Sequence, residues 1–172
     1  MEGKTVNQSA VTMAQQMNLS DANPVGNVHG GLIMKLIDTA AGVVAIRHPR
    51  ANIVTASIDR LDFLHPVFVG DFVTLMASIN FVGRTSMEIG VRVESENLMT
   101  GEKRHTSTAY LTFVALDSNG RPMPLPPLIL ETDEQKRRNH AARVRRENRL
   151  AEKAKEKERY LRTSRAPQKR RY

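Results

Sequence analysis

From Leu32 to Ile46, twelve of fifteen positions are apolar or glycine, and the exceptions are Lys35, Asp38 and Thr39. The run opens at Gly30-Gly31 and closes at His48-Pro49. It predicts a helix over 32–47 that is apolar on nearly every face and therefore buried. Beyond Pro49 the period changes. Val54, Ala56 and Ile58 share one face of a predicted strand over 53–64. The apolar face then switches to Leu61 and Phe63, which predicts a bulge near Asp59-Arg60. Three more runs alternate with polar neighbours: Val73 to Phe81, Met87 to Val93, and Ala109 to Ala115. That alternation is the mark of half-buried strands. Short links at Val82-Gly83-Arg84 and Met99-Thr100-Gly101 predict antiparallel hairpins, and an edge strand is expected within 6–17.

One long apolar helix followed by several antiparallel strands predicts an α+β fold, a curved sheet wrapped around the helix. A sheet covers such a helix on one side only. The other side calls for a second subunit, so at least a homodimer is expected. The stretch Pro122-Met123-Pro124-Leu125-Pro126-Pro127 ends the sheet and is expected to lead out of a domain spanning 1–130.

Charge divides the chain at the same place. Residues 131–172 hold sixteen Lys or Arg against seven Asp or Glu, whereas residues 1–130 hold ten against eleven. The basic excess therefore belongs to the tail. Residues 132–162 lack Gly and Pro and place Glu134 with Arg138, and Glu158 with Arg162, at i,i+4. This predicts a charged helix with a thin apolar stripe of Val144, Ala151, Ala154 and Leu161, and a disordered end over 163–172. A solvated, salt-bridged helix is the plainest expectation. Attachment to nucleic acid or an anionic membrane is the alternative, and few aromatics are present to stack on bases. There is no cysteine, which excludes disulfides and thiolate chemistry. The N-terminus lacks the layout of a signal peptide, and the 32–47 helix is too short to span a bilayer. A cytoplasmic protein is expected.

Asp38 is the residue that needs a reason, because a carboxylate on an apolar helix is costly unless it has a partner or a task. Gly30 and Gly31 stand at the helix start, where backbone N–H groups and the positive end of the helix dipole suit a carbonyl becoming an oxyanion. Asp38 lies seven residues beyond Gly31, about 10 Å along the axis. It shares a face with the glycines but cannot share one reacting carbon with them. If both act together, Asp38 comes from one subunit and the glycine turn from another, giving two composite sites across a two-fold axis. Hydrolysis of an acyl derivative fits, with Asp38 as general base on water or as nucleophile. Asn23, in the loop before the glycines, can hold water or carbonyl. His29 is a candidate by its ring or by its backbone N–H.

Four motifs then stand out in order: Gly26-Asn27-Val28-His29-Gly30-Gly31, Leu36-Ile37-Asp38, Ile53-Val54-Thr55-Ala56-Ser57 and Gly83-Arg84-Thr85-Ser86-Met87-Glu88-Ile89-Gly90. Over about residues 8–130 they resemble the hot-dog-fold acyl-CoA thioesterases of the cytosolic long-chain acyl-CoA hydrolase and YciA-like type. The resemblance implies a hot-dog dimer, commonly a trimer of dimers, that hydrolyses fatty acyl-CoA with no metal or organic cofactor. It implies that Asn23 and Asp38 are catalytic and come from opposite subunits, and that the Gly31 backbone polarises the thioester carbonyl. It sets His29 and Gly30 beside the substrate, and Arg84, Thr85 and Ser86 near the CoA end. It also implies a terminal helix, Thr132 to about Asn148, packed near the trimer contact; Lys136, Arg137 and Arg138 there are candidates for CoA phosphates. The alternatives are a non-catalytic acyl-CoA-binding or regulatory module with a nucleic-acid-binding tail, and a hot-dog enoyl-CoA hydratase or dehydratase using His29. The His-Phe-Pro signature of those dehydratases is absent.

Overall fold

A computed structural model describes residues 1–164. The glycine-led apolar run forms α1 (Gly30–Arg47), capped at its start by His29. Ile33, Ile37, Ala40, Ala41, Val44 and Ala45 are buried, at the spacing of one helix face. Burying each large aliphatic side chain there is worth about 1.5–3 kcal/mol. The helix is not buried all round, as its composition had suggested. Met34 and Ile46 are exposed and Asp38 is half-buried, because the sheet covers one side only.

That sheet has five strands, β2 (Val11–Gln16), β3 (Asn52–Phe63), β4 (Phe72–Val82), β5 (Ser86–Glu96) and β6 (Lys103–Leu116). They run in the order β2-β4-β5-β6-β3, each antiparallel to its neighbour. Leu75, Ile79, Met87, Ile89, Leu111 and Phe113 from the inner face pack with the buried face of α1 in one core. This is the hot-dog arrangement.

The alternation is broken by extra residues that sequence periodicity only partly located. In β3 the register slips between Thr55 and Ser57 and again between Ile58 and Arg60, so Ala56 and Asp59 are the bulged positions. Two bulges stand where one was expected. Thr55 faces Phe113 on the core side, whereas Val54 pairs with Val114 on the outer side. Val54, Ala56 and Ile58 therefore do not form one buried face, and Val54 and Ile58 are both about two-fifths exposed. In β4 a slip at Asn80 turns Phe81 to the outer face, opposite Glu88, rather than into the core with Ile79.

The outer face is covered by α2 (Asp133–Ser164), which crosses the sheet. Asn139 Nδ2 donates to the Asn80 carbonyl on β4 (2.8 Å). Arg145 donates to Glu88 on β5 (2.6 and 3.1 Å) and stacks over Tyr110 on β6. Arg149 pairs with Asp59 on β3. Ten residues of helix advance about 15 Å, which matches the roughly 14 Å of three strand spacings. The tail helix is thus anchored over its first half rather than wholly solvated. Its contact face is Asn139, Ala142, Arg145 and Arg149, not the expected stripe, whose Val144 and Leu161 are exposed. The expected Glu134–Arg138 pair forms (2.8 Å), and Arg137 joins it. Together they hold the Glu134 carboxyl at about 2. Thr163 and Ser164 continue the helix instead of starting a disordered end. The expectation for 165–172, and the side chain of Arg162, lie outside the described residues.

The Pro-rich stretch does not leave the fold. It runs back under the end of α1, where Leu125 and Pro126 are buried and β7 (Leu128–Ile129) pairs in parallel with β1 (Lys4–Thr5). His48, the buried C-cap of α1, closes this corner. Its Nε2–H donates to the Pro126 carbonyl (2.9 Å), and its Nδ1 lies 3.4 Å from Ser9 Oγ.

Candidate active site

The loop before α1 folds on Asn23. Its backbone N–H donates to the Asn27 carbonyl (2.7 Å), and its carbonyl accepts from Gly26 (3.0 Å). Gly26 has φ +90°, a conformation that favours glycine and closes the turn. The Asn23 side-chain oxygen accepts from the N–H groups of Val25 (3.0 Å) and Asn27 (3.2 Å). Two donors aimed at one end of the amide identify that end as oxygen. The other end, the Nδ2 donor, has no partner among the described residues. Asn23 and Gly30 line a cavity of about 280 Å³ with Asn27, Ile33, Phe63 and Val67.

The glycine turn departs from the expectation in one respect. The Gly31 N–H is not free: it donates to His29 Nδ1 at 3.0 Å, so the imidazole serves as the N-cap. A Cβ on Gly31 would lie 3.1 Å from that nitrogen, so a larger residue would press the ring back by a few tenths of an ångström. The acceptor lone pair on Nδ1 puts the His29 proton on Nε2 in the neutral ring. His29 and Gly31 are both exposed, so an incoming carbonyl can replace the ring on the N–H.

Asp38 has a partner that sequence reasoning missed. Thr55 Oγ1 donates to its Oδ1 at 2.9 Å. The Ile53-to-Ser57 motif contained this threonine, but its orientation depends on the bulge at Ala56, which alternation alone does not reveal. Phe113 sits between Thr55 and Met87 in the ladder, so the β4–β5 turn lies two strands from Thr55, about 10 Å. In that turn the Arg84 and Thr85 carbonyls accept from Leu125 (2.9 Å) and Ala115 (3.1 Å), and Gly83 N–H donates to the Ser86 carbonyl (2.8 Å). The Arg84 side chain is exposed.

The candidate residues therefore fall into two clusters in one chain. Asn23, His29, Gly30 and Gly31 gather at the start of α1; Asp38 and Thr55 stand two turns further along it. Lys136, Arg137 and Arg138, the candidates for CoA phosphates, are paired with Asp133 and Glu134. A larger cavity, about 590 Å³, opens between α2 and the outer face of the sheet, away from both clusters. Among the described residues no cluster of His, Cys, Asp and Glu could hold a metal, and no helix is long and apolar enough to cross a membrane.

A fold of this kind is that of the thioesterase superfamily, whose family model matches residues 25–102. The chain belongs to the acyl-CoA thioester hydrolases of that superfamily. It is 42% identical over 134 residues to an uncharacterized acyl-CoA thioester hydrolase of Bacillus subtilis, covering 78% of each chain. It is 39% identical over 139 residues to the cytosolic acyl coenzyme A thioester hydrolase of Mus musculus, covering 80% of this chain and 36% of the mouse protein. An apo-hexameric acyl-CoA thioesterase superposes with a TM-score of 0.86 at 38% identity, over 90% of this chain and 99% of that one. The acyl-CoA hydrolase of Staphylococcus aureus, solved with butyryl coenzyme A, coenzyme A and coenzyme A disulfide, superposes with a TM-score of 0.85 at 32% identity, over 94% and 98%. Further structures of the staphylococcal enzyme carry alanine in place of one asparagine, one aspartate or one threonine, at positions 15 and 17 residues apart in that order.

Proposed function

We propose that this protein hydrolyses acyl-CoA thioesters to the free acid and CoA at composite sites. One subunit supplies Asn23 and the glycine turn, and another supplies Asp38 and Thr55. The observation that carries this reading is the Thr55–Asp38 hydrogen bond. Asn23, Asp38 and Thr55 are also 15 and 17 residues apart, the spacing of the three residues altered in the staphylococcal enzyme.

The chemistry follows from the donors and acceptors. The Thr55 hydroxyl fixes the Asp38 carboxylate through Oδ1 and leaves Oδ2 to act. Acting as a base, Oδ2 takes a proton from water as that water's oxygen attacks the thioester carbonyl. The C–S bond then breaks, and the thiolate leaves with the proton. Acting as a nucleophile, Oδ2 attacks the carbonyl carbon, the C–S bond breaks and CoA leaves as the thiolate; water then opens the mixed anhydride, which frees the acid, restores the Asp38 carboxylate and supplies the thiolate's proton. In both routes the carbonyl oxygen becomes an oxyanion beside the partner's Gly31 N–H, displacing the His29 ring, while the Asn23 amide donor holds water or carbonyl. Gly30 leaves room for that approach, and Arg84, Thr85 and Ser86 serve the CoA end. The chemistry draws on no metal or organic cofactor, and CoA is part of the substrate.

The exposed face of α1 and the outer edge of β3 are the surfaces on which a second copy would complete each site. A homohexamer built as a trimer of dimers, working in the cytoplasm, is the assembly that this reading favours.

The test is hydrolysis of an acyl-CoA series by wild type and by Asp38→Asn, with release of CoA measured. Folded Asp38→Asn should lose nearly all turnover. Wild-type turnover in that variant would end the reading. Label in the Asp38 carboxylate after one turnover in oxygen-18 water would identify the anhydride route, because the base route puts water's oxygen in the product acid alone.

A further inference from the structure

In an unbroken strand Thr55, Ser57 and Asp59 would share a face. In β3 they do not. The extra residue at Ala56 leaves Thr55 opposite Phe113 on the core side and Ser57 opposite Thr112 on the outer side. A slip of one residue in this segment would turn Thr55 away from Asp38. Within the chain, β3 is an edge strand whose one strand neighbour is β6.

Asp59, the second bulged residue, gathers what holds the segment. Ser57 Oγ donates to its Oδ1 (2.7 Å), Thr112 Oγ1 donates to its Oδ2 (3.4 Å), and the Arg149 guanidinium of α2 pairs with the same carboxylate. The two charged side chains are largely buried, at 17% and 13% exposed. Removing one partner of a buried pair of this kind leaves the other charge uncompensated. α2 thus ends its crossing of the sheet on the segment that aims Thr55.

We infer that Arg149 and Asp59 are positioning residues for the active carboxylate: α2 locks the double bulge of β3 from the outer face, and so sets Thr55 against Asp38 on the inner one. The inference rests on the proposed role of Asp38.

The test is steady-state kinetics on the full chain with butyryl-CoA and a long-chain fatty acyl-CoA, with folding checked by circular dichroism. The variants are Arg149→Gln, Arg149→Lys, Thr55→Val and the double variant Arg149→Gln with Thr55→Val. Arg149→Gln should lower kcat about five- to twenty-fold with KM held within about two-fold, because a misaimed group slows chemistry more than binding. Arg149→Lys should recover most of that loss. The double variant should be no slower than Thr55→Val alone, since both changes act through one hydroxyl. Wild-type kcat in folded Arg149→Gln, or losses that multiply in the double variant, would overturn the inference. If Arg149→Gln does not fold, Asp59→Asn supports the same comparison. Should Asp38→Asn and Thr55→Val both keep full turnover, the active-site reading fails. Should they lose turnover while Arg149→Gln keeps it, only the brace fails.

Discussion

Thr55 Oγ1 donates to Asp38 Oδ1 at 2.9 Å, tying the edge strand of the sheet to the middle of α1. A hydrogen bond to a charged group is worth about 1.5–3 kcal/mol. If that energy is spent on aiming the carboxylate, Thr55→Val should lower kcat by roughly 10- to 100-fold. Thr55→Ser, which keeps the hydroxyl, should recover most of it. Equal losses in the two variants would mean that the methyl group matters and the hydrogen bond does not.

Asn23 stands in the loop before α1, beside the glycine turn, and Asp38 lies two turns into the helix from Gly31. On the proposed reading, neither cluster is a complete site in its own chain. Asn23→Ala and Asp38→Ala should each be nearly inactive alone. Mixed under conditions that exchange subunits, they should regain activity, because a heterodimer holds one site with both native residues. The regained activity should approach about one-quarter of wild type for random pairing, since half the pairs are mixed and each mixed pair has one intact site. Exchange confirmed by mass-tagged subunits with no return of turnover would place both residues in the same subunit's site.

What the sequence made legible was the periodic part. The apolar helix, the four long strands, the antiparallel hairpins and the glycine turn follow from spacing of 3.6 and 2. The switch of apolar face also showed the bulge at Asp59, but the other places where one extra residue breaks that spacing stayed hidden. The bulge at Ala56 turns Thr55 toward Asp38, and the slip at Asn80 turns Phe81 out under Arg143 and Arg146 of α2. Alternation cannot show either, because the residues before and after a bulge look regular on their own. The seating of α2 was hidden for a different reason. Its contact face is arginine and asparagine, which composition reads as solvent-facing. Buried partners for those side chains, Glu88 and Asp59, lie on other strands far away in sequence.

Glu88 is 2% exposed and accepts from Arg145 and from Asn80 Nδ2. Removing the cation should leave a buried carboxylate with only an amide for company, a change that costs about 3–5 kcal/mol where the charge stays uncompensated. Arg145→Met should therefore lower the thermal midpoint markedly. Glu88→Gln, which keeps the shape and a hydrogen-bonding oxygen, should cost much less. Paired with Arg145→Met, it should give back part of the loss. Thermal denaturation of the three variants checks this, and a double variant less stable than Arg145→Met alone would count against an uncompensated charge.

His48 gives the fold a pH dependence of definite sign. Burial holds its imidazole below the ordinary 6.5, and the nearby Lys4 ammonium acts in the same direction, against the hydrogen bond to the Pro126 carbonyl. The folded state therefore keeps the ring neutral where the unfolded chain would protonate it. The unfolded chain binds more protons in that range, so stability rises with pH there. The contribution is present in full above 6.5 and is lost as pH falls from 6.5 through the lowered folded value. His48→Gln can keep a donor for the Pro126 carbonyl but cannot titrate. It should be less stable than wild type at pH 8, and the gap should narrow as pH falls through about 6 to 5. Urea denaturation across that range measures the difference. A gap that stays constant would mean that His48 takes up its proton equally in both states, and that the corner where α1, the N-terminal strand and the Pro-rich stretch meet is indifferent to its charge.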